Sequence, residues 1–202
     1  MKLKVWLGAC AILLSSVILV AQEKAKKMPE MSPEQKAAMD AMMKAATPGE
    51  AHKKLASMVG TWNTKVTMWM APGAPPQVST GISTNKKVLG GRYVQESFNG
   101  TFMGQPFSGI GYTGYDNVTG QYIGTWMDTA STAMMNSTGK AEDDKTFTFS
   151  STMPDPMTKK QVDFKTKVTV TDKNHHMMEM WGPAPDGTQY KMMEINYTRK
   201  KS

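Results

Sequence analysis

The sequence predicts an all-β protein: a closed, antiparallel, up-and-down barrel of about ten strands preceded by short N-terminal helices. Three observations carry that prediction. From Trp62 onward apolar and polar residues alternate with period two, and turn-forming residues recur roughly every ten positions. Ahead of Trp62 the pattern is helical instead, with two start signals of the hydroxyl-Pro-x-Glu/Gln type.

The helical part runs from Gln22 to about Gly60. Ser32-Pro33-Glu34-Gln35 and Thr47-Pro48-Gly49-Glu50 each place a capping hydroxyl, a proline at the first helical position and a Gln or Glu three residues after the cap. The first helix is expected through about Ala46, with Met39, Met42, Met43 and Ala46 on one stripe. The second presents Leu55, Met58 and Val59. The strands expected after it are Thr61–Met70, Val78–Val88, Arg92–Asn99, Thr101–Met103 with Phe107–Tyr115, Gln121–Thr129, Thr132–Lys140, Thr146–Thr152, Gln161–Thr171, His176–Trp181 and Gln189–Thr198. Asn99-Gly100 suits a tight hairpin turn, and Gly90-Gly91, Asp116-Asn117, Pro154-Asp155-Pro156 and Pro185-Asp186-Gly187 are further turn formers. Links this short make sequential strands antiparallel neighbours. Pairing the first strand with the last then removes both sheet edges.

Upstream of the helices, Lys2 and Lys4 precede an apolar run from Val5 to Ala21, the pattern of a secretory leader cleaved after Ala21. The run is short for a bilayer span, which needs about 20 residues, so no stable membrane anchor is expected after cleavage. Cys10 lies inside the run, with Ala11 to Val20 still to follow, which is the wrong place for a lipidated cysteine. The expected organisation is a leader over 1–21, a Lys/Met-rich tether and helix over 22–47, and the barrel over 48–202, in a periplasmic or secreted protein. Cys10 is the chain's one cysteine, so the mature fold is held by packing and its hydrogen-bond ladder, without disulfides. The net charge of +7 falls to +5 without Lys2 and Lys4. The remaining basic residues are scattered and form no stripe interleaved with aromatics, so ordinary solvated surface is expected and no nucleic-acid partner.

Gly60-Thr61-Trp62 at the entry to the first strand, with Arg199 at the end of the last, resembles the structural signature of the calycins, which include lipocalins and fatty-acid-binding proteins. In a closed barrel the Arg199 guanidinium can lie on the Trp62 indole. Leu89-Gly90-Gly91-Arg92-Tyr93, Gly104-Gln105-Pro106-Phe107-Ser108-Gly109, Gly114-Tyr115-Asp116, Thr125-Trp126-Met127-Asp128, Pro185-Asp186-Gly187 and Met193-Glu194-Ile195-Asn196-Tyr197-Thr198-Arg199 together resemble the bacterial "domain of unknown function 1579" family, over about Pro48 to Lys200. The resemblance implies a calycin-like barrel in an exported protein and no particular activity. The sequence departs from the pattern at His175-His176-Met177-Met178-Glu179-Met180 and in its Met-rich helix.

Polar residues within apolar strands are the candidate site: Arg92, Glu96, Asp128 and Glu194, since an unpaired buried charge is costly. Parity puts Glu96 with Val94 and Phe98, and Asp128 with Trp126 and Tyr122. Trp126, Tyr112, Phe98 and Met127 are the expected wall for a small apolar or amphipathic ligand, which gives Arg92, Glu96, Phe98, Tyr112, Trp126 and Asp128 as the ligand-binding set. The alternatives are soft-metal (copper) handling through Met39/Met42/Met43 and His176/Met178/Met180, and a structural or interaction module. The bland account of the methionines is core filling, and no preformed metal site is expected. The sequence has no G-x-S-x-G elbow, no phosphate loop and three histidines, two of them adjacent, so no catalytic set or cofactor is specified.

Overall fold

A computed structural model describes residues 31–156, 158–184 and 186–201. The expected leader, most of the tether and Pro185 lie outside the described residues.

Ten strands close into one antiparallel meander: β1 (Gly60–Met68), β2 (Gln77–Val88), β3 (Tyr93–Phe102), β4 (Gln105–Asp116), β5 (Gln121–Asp128), β6 (Met135–Ala141), β7 (Thr146–Pro154), β8 (Gln161–Asp172), β9 (His175–Pro183) and β10 (Gln189–Arg199). Each strand pairs with its sequence neighbours, and β1 pairs with β10. Side-chain alternation decides what faces in. On β1, Trp62, Thr64 and Val66 are buried while Asn63 and Lys65 face water.

The seam is fixed by a clasp. Trp62 and Arg199 are register partners, and the guanidinium carbon lies 4.0 Å from the centre of the Trp62 ring. Arg199 also donates from Nε to the Lys173 carbonyl (2.7 Å) and from Nη1 to the Val59 carbonyl (3.0 Å). Gly60 makes room for it. Its φ is +139°, and a Cβ there would come within 2.2 Å of Arg199 Nη1.

Two helical segments precede β1. In α1 (Pro33–Ala46) the Ser32/Gln35 capping box forms as the spacing predicts. No residue of α1 is buried, so the Met39, Met42 and Met43 stripe is exposed and contributes nothing to the core. The second helix, α2 (Glu50–Lys54), starts later than expected. Thr47 turns back to donate to the Met43 carbonyl (2.6 Å), and the backbone N–H of Gly49 donates to His52 Nδ1 (3.1 Å). A 310 turn (Leu55–Met58) follows, and Leu55 packs with Val94, Tyr122, Phe147 and Val170 to plug the lower end of the barrel. Tyr122 ties that plug by donating to the Ala51 carbonyl (3.1 Å).

One predicted turn is misplaced. Asn99 and Gly100 stay in β3, and the hairpin turns at Met103-Gly104, whose φ values of 51° and 76° suit a tight two-residue turn. Gly100 faces Gly81 across the sheet, and the Phe98 ring lies over both. A Cβ at Gly81 would approach that ring within 2.6 Å, and one at Gly100 within 2.9 Å. This glycine makes room for a ring and bends no chain. β6 likewise begins at Met135, three residues past the expected Thr132.

The clasp predicts the cost of opening the seam. Arg199→Ala should lower the unfolding free energy by about 1–2 kcal/mol through lost stacking and packing, and Gly60→Ala by a comparable amount because it strains φ and displaces the guanidinium. Urea denaturation checks both. Changes below about 0.5 kcal/mol would show that the seam does not depend on the clasp.

Candidate functional site

Above the plug the barrel is not filled. A cavity of about 380 Å³ occupies its upper half and reaches the rim at Phe102, Ala130, Met153 and Met192. One wall is aromatic, from Phe98, Phe107, Trp126 and Phe149. Another is a sheet of thioethers, from Met68, Met178, Met180, Met192 and Met193. Across β1, β10 and β9, Met68 pairs with Met193 and Met193 with Met180, so three methionines form a continuous row. The ladder shifts register between Lys191 and Met193, and this bulge accounts for two successive residues, Met192 and Met193, both reaching the cavity.

Trp126 lies flat on the inner face of β4. Its bed is Gly109 and Gly111, where an added Cβ would come within 2.2 Å and 2.9 Å of the indole. Trp126 Nε1 donates to Asp128 Oδ2 (2.8 Å), and the Ala130 N–H donates to Asp128 Oδ1 (2.9 Å).

Glu96 forms the polar floor. Protein surrounds its carboxyl, and what it still exposes faces the cavity. Ser83 Oγ lies 2.6 Å from Glu96 Oε1 and 2.8 Å from Asn85 Oδ1. The Asn85 amide cannot be turned round, because its Nδ2 donates to the Met58 carbonyl (3.0 Å), which also accepts from Trp62 Nε1 (2.9 Å). A serine hydroxyl has one proton for two acceptors. The short chain is fully satisfied when Glu96 is the neutral acid, donating to Ser83 while Ser83 donates to Asn85. Burial raises the Glu96 pKa in agreement with this, against the opposing pull of hydrogen bonds with Ser83 and Tyr197. Tyr197 is held well above its usual pKa, first by burial and then by Glu96.

Below this floor lies His176, buried with its ring stacked on Tyr197 (centroids 4.1 Å apart) and perpendicular to Trp62 (centroids 4.3 Å apart). Its Nδ1 is buried without a hydrogen-bond partner. Burial, with help from the Arg199 charge, lowers its pKa to about 4, so it is neutral at physiological pH.

The structure brings together Glu96, Phe98, Trp126 and Asp128 of the sequence-predicted set. It separates two others. Tyr112 is on the outer face of β4, where its hydroxyl accepts from Gln95 Nε2 (2.9 Å); the inward positions of that strand are Gly111 and Thr113. Arg92 is exposed at the lower end and donates to the carbonyls of Leu89 (3.2 Å) and Ala46 (2.6 Å), tying down the end of α1. Met127 pairs with exposed Ile110 on the outside, and Glu194 is lowered in pKa by an outer-face bond from Lys191 (2.6 Å). Trp62 and Arg199 form the seam, away from the cavity lining. Of the proposed copper set, Met178 and Met180 line the cavity while His176 is clamped beneath it. Sequence reasoning passed over Tyr197, Ser83 and Asn85, although Tyr197 shares its parity with Ile195 and Met193.

The profile of the family described as "Protein of unknown function (DUF1579)" matches residues 47–199. The chain belongs to this family. No curated protein matches it. Among solved structures, Rv2717c from M. tuberculosis is similar to this DUF1579 barrel with a TM-score of 0.56 at 13% identity, over 77% of this chain and 100% of that one. The S-type phycobiliprotein lyase CPES from Guillardia theta gives a TM-score of 0.49 at 11% identity, over 77% of this chain and 99% of that one. The likeness to Rv2717c is one of fold.

The two buried titrating groups predict opposite pH effects on stability. The raised Glu96 pKa means that the folded state holds this proton more tightly, so its contribution is complete below the ordinary carboxyl range and is lost as pH rises through the folded value. The lowered His176 pKa contributes stability above about pH 6.5 that is lost as pH falls toward about 4, amounting to roughly 3 kcal/mol. Glu96→Gln keeps a donor for Ser83 and an acceptor for Tyr197, so its stability relative to wild type should climb with pH. His176→Phe should remove the acid loss. Urea titrations from about pH 4 to 8 read both; parallel stability curves for wild type and the two variants would contradict the assignments.

Proposed function

We propose that this barrel binds one small apolar or amphipathic molecule in its upper cavity. The observation that carries the reading is the cavity itself. A barrel of this size can be filled by its own side chains, and the lower half is. The upper half leaves about 380 Å³ within a mostly apolar wall bearing a few convergent polar groups, which falls in the range of small-molecule sites, about 300–1,000 Å³. The thioether wall suits a ligand of irregular shape, because methionine side chains adapt their rotamers at little cost. The same space speaks against a purely structural module. On the reading of residues 1–21 as a cleaved leader, the mature protein does this work outside the cytoplasm.

Titration with an uncharged fluorescent apolar probe tests the reading. Binding should saturate at one equivalent and alter the emission of Trp126. Trp126→Ala should weaken it about tenfold, ~1.4 kcal/mol, while Tyr112→Ala on the outer face leaves it unchanged. Unsaturable binding, or equal loss in both variants, would contradict an interior site.

A further inference from the structure

The cavity is lined by acids and by no base. Two acidic side chains, Glu96 and Asp128, line it, and among the described residues no lysine, arginine or histidine does, although the chain carries +7 overall. Its fixed polar groups are also committed in one sense. Both Asp128 oxygens accept, from Trp126 Nε1 at 2.8 Å and from the Ala130 N–H at 2.9 Å, and keep further lone pairs. The proton between Glu96 and Ser83 lies within their 2.6 Å bond, and the Tyr197 hydroxyl is engaged with Glu96. These groups therefore offer the cavity acceptors and no spare donor. The apolar wall has the same character, since aromatic faces such as those of Phe98, Phe107 and Trp126 attract cations and thioether sulfurs are weak acceptors. The lining hydroxyls, Ser137 and Ser151 among them, can rotate to donate or accept and do not change the balance.

We propose that the ligand is an apolar molecule bearing an amine, cationic when free, or another N–H or O–H donor, and that the cavity rejects anionic amphiphiles. The proposal rests on the reading that the cavity is a binding site. A carboxylate or phosphate entering it gives up its water and meets lone pairs and ring faces with no cation to pair with. An amine meets Asp128 nearer the rim and the Glu96–Tyr197 pair deeper in, with aromatic faces beside them. The overall positive charge of the protein works in the opposite direction, drawing anions to the outer surface, so a preference for amines is a property of the interior.

Three probes of one chain length separate the possibilities: decylamine, decanol and decanoate, each below its micelle concentration, titrated calorimetrically into the purified protein at about pH 7. Decylamine should bind at least about tenfold more tightly than decanoate, with decanol between. The double variant Glu96→Gln/Asp128→Asn, its fold checked by circular dichroism, should bring decylamine down to the affinity that decanol shows for the same variant. Decanoate binding as tightly as decylamine would overturn the proposal while leaving the cavity a binding site. An amine preference that persists in the double variant would overturn it too, by locating the preference elsewhere. If none of the three binds, the binding reading fails and the proposal fails with it.

Discussion

The fold depends on the contact between Arg199 and Trp62. An up-and-down meander has two free edges, each a row of unsatisfied backbone groups, and closure satisfies them by laying the last strand against the first. Here the guanidinium covers the indole at the seam and bonds to carbonyls on both sides of it, Val59 ahead of β1 and Lys173 ahead of β9. Trp62 is fully buried, and its Nε1 holds the Met58 carbonyl at the end of the helical plug. One contact thus joins the seam, the plug and, through Asn85 and Ser83, the acid at the cavity floor.

The division of the interior follows from residue size along the strands. Below, Leu55, Tyr122, Phe147, Val94 and Val170 meet and exclude space. Above, five inward positions on β4 to β6 are glycine or small hydroxyl residues, Gly109, Gly111, Thr113, Gly124 and Ser137, and Trp126 folds down onto β4 instead of crossing the barrel. The opposite wall is methionine. Small residues on one side and pliable ones on the other leave room that the lower half lacks.

The barrel, its ten strands and its first-to-last closure were legible because period two and turn residues report directly on a half-buried meander. Parity likewise groups Glu96 with Phe98 and Asp128 with Trp126, and the structure turns both pairs toward the cavity. Aromatic or apolar character alone misleads: Tyr112 and Met127 fall on the alternate positions of β4 and β5, and both point outward. Asn99-Gly100 reads as a turn because short-range chemistry cannot distinguish a glycine needed for positive φ from one needed under the Phe98 ring. The exposed stripe of α1 looks like a core face because spacing alone does not say whether a partner surface exists. The Glu96–Ser83–Asn85 chain was out of reach for a different reason, since it joins residues on two strands to a carbonyl of the plug, and only tertiary structure brings these together.

Native mass spectrometry of the protein recovered gently from the cells that make it tests the central claim most directly. The account predicts a population carrying one non-covalent small molecule per chain, lost in Trp126→Ala and retained in Tyr112→Ala. A chain that is always ligand-free, and that takes up nothing when offered an apolar extract of the same cells, would contradict it.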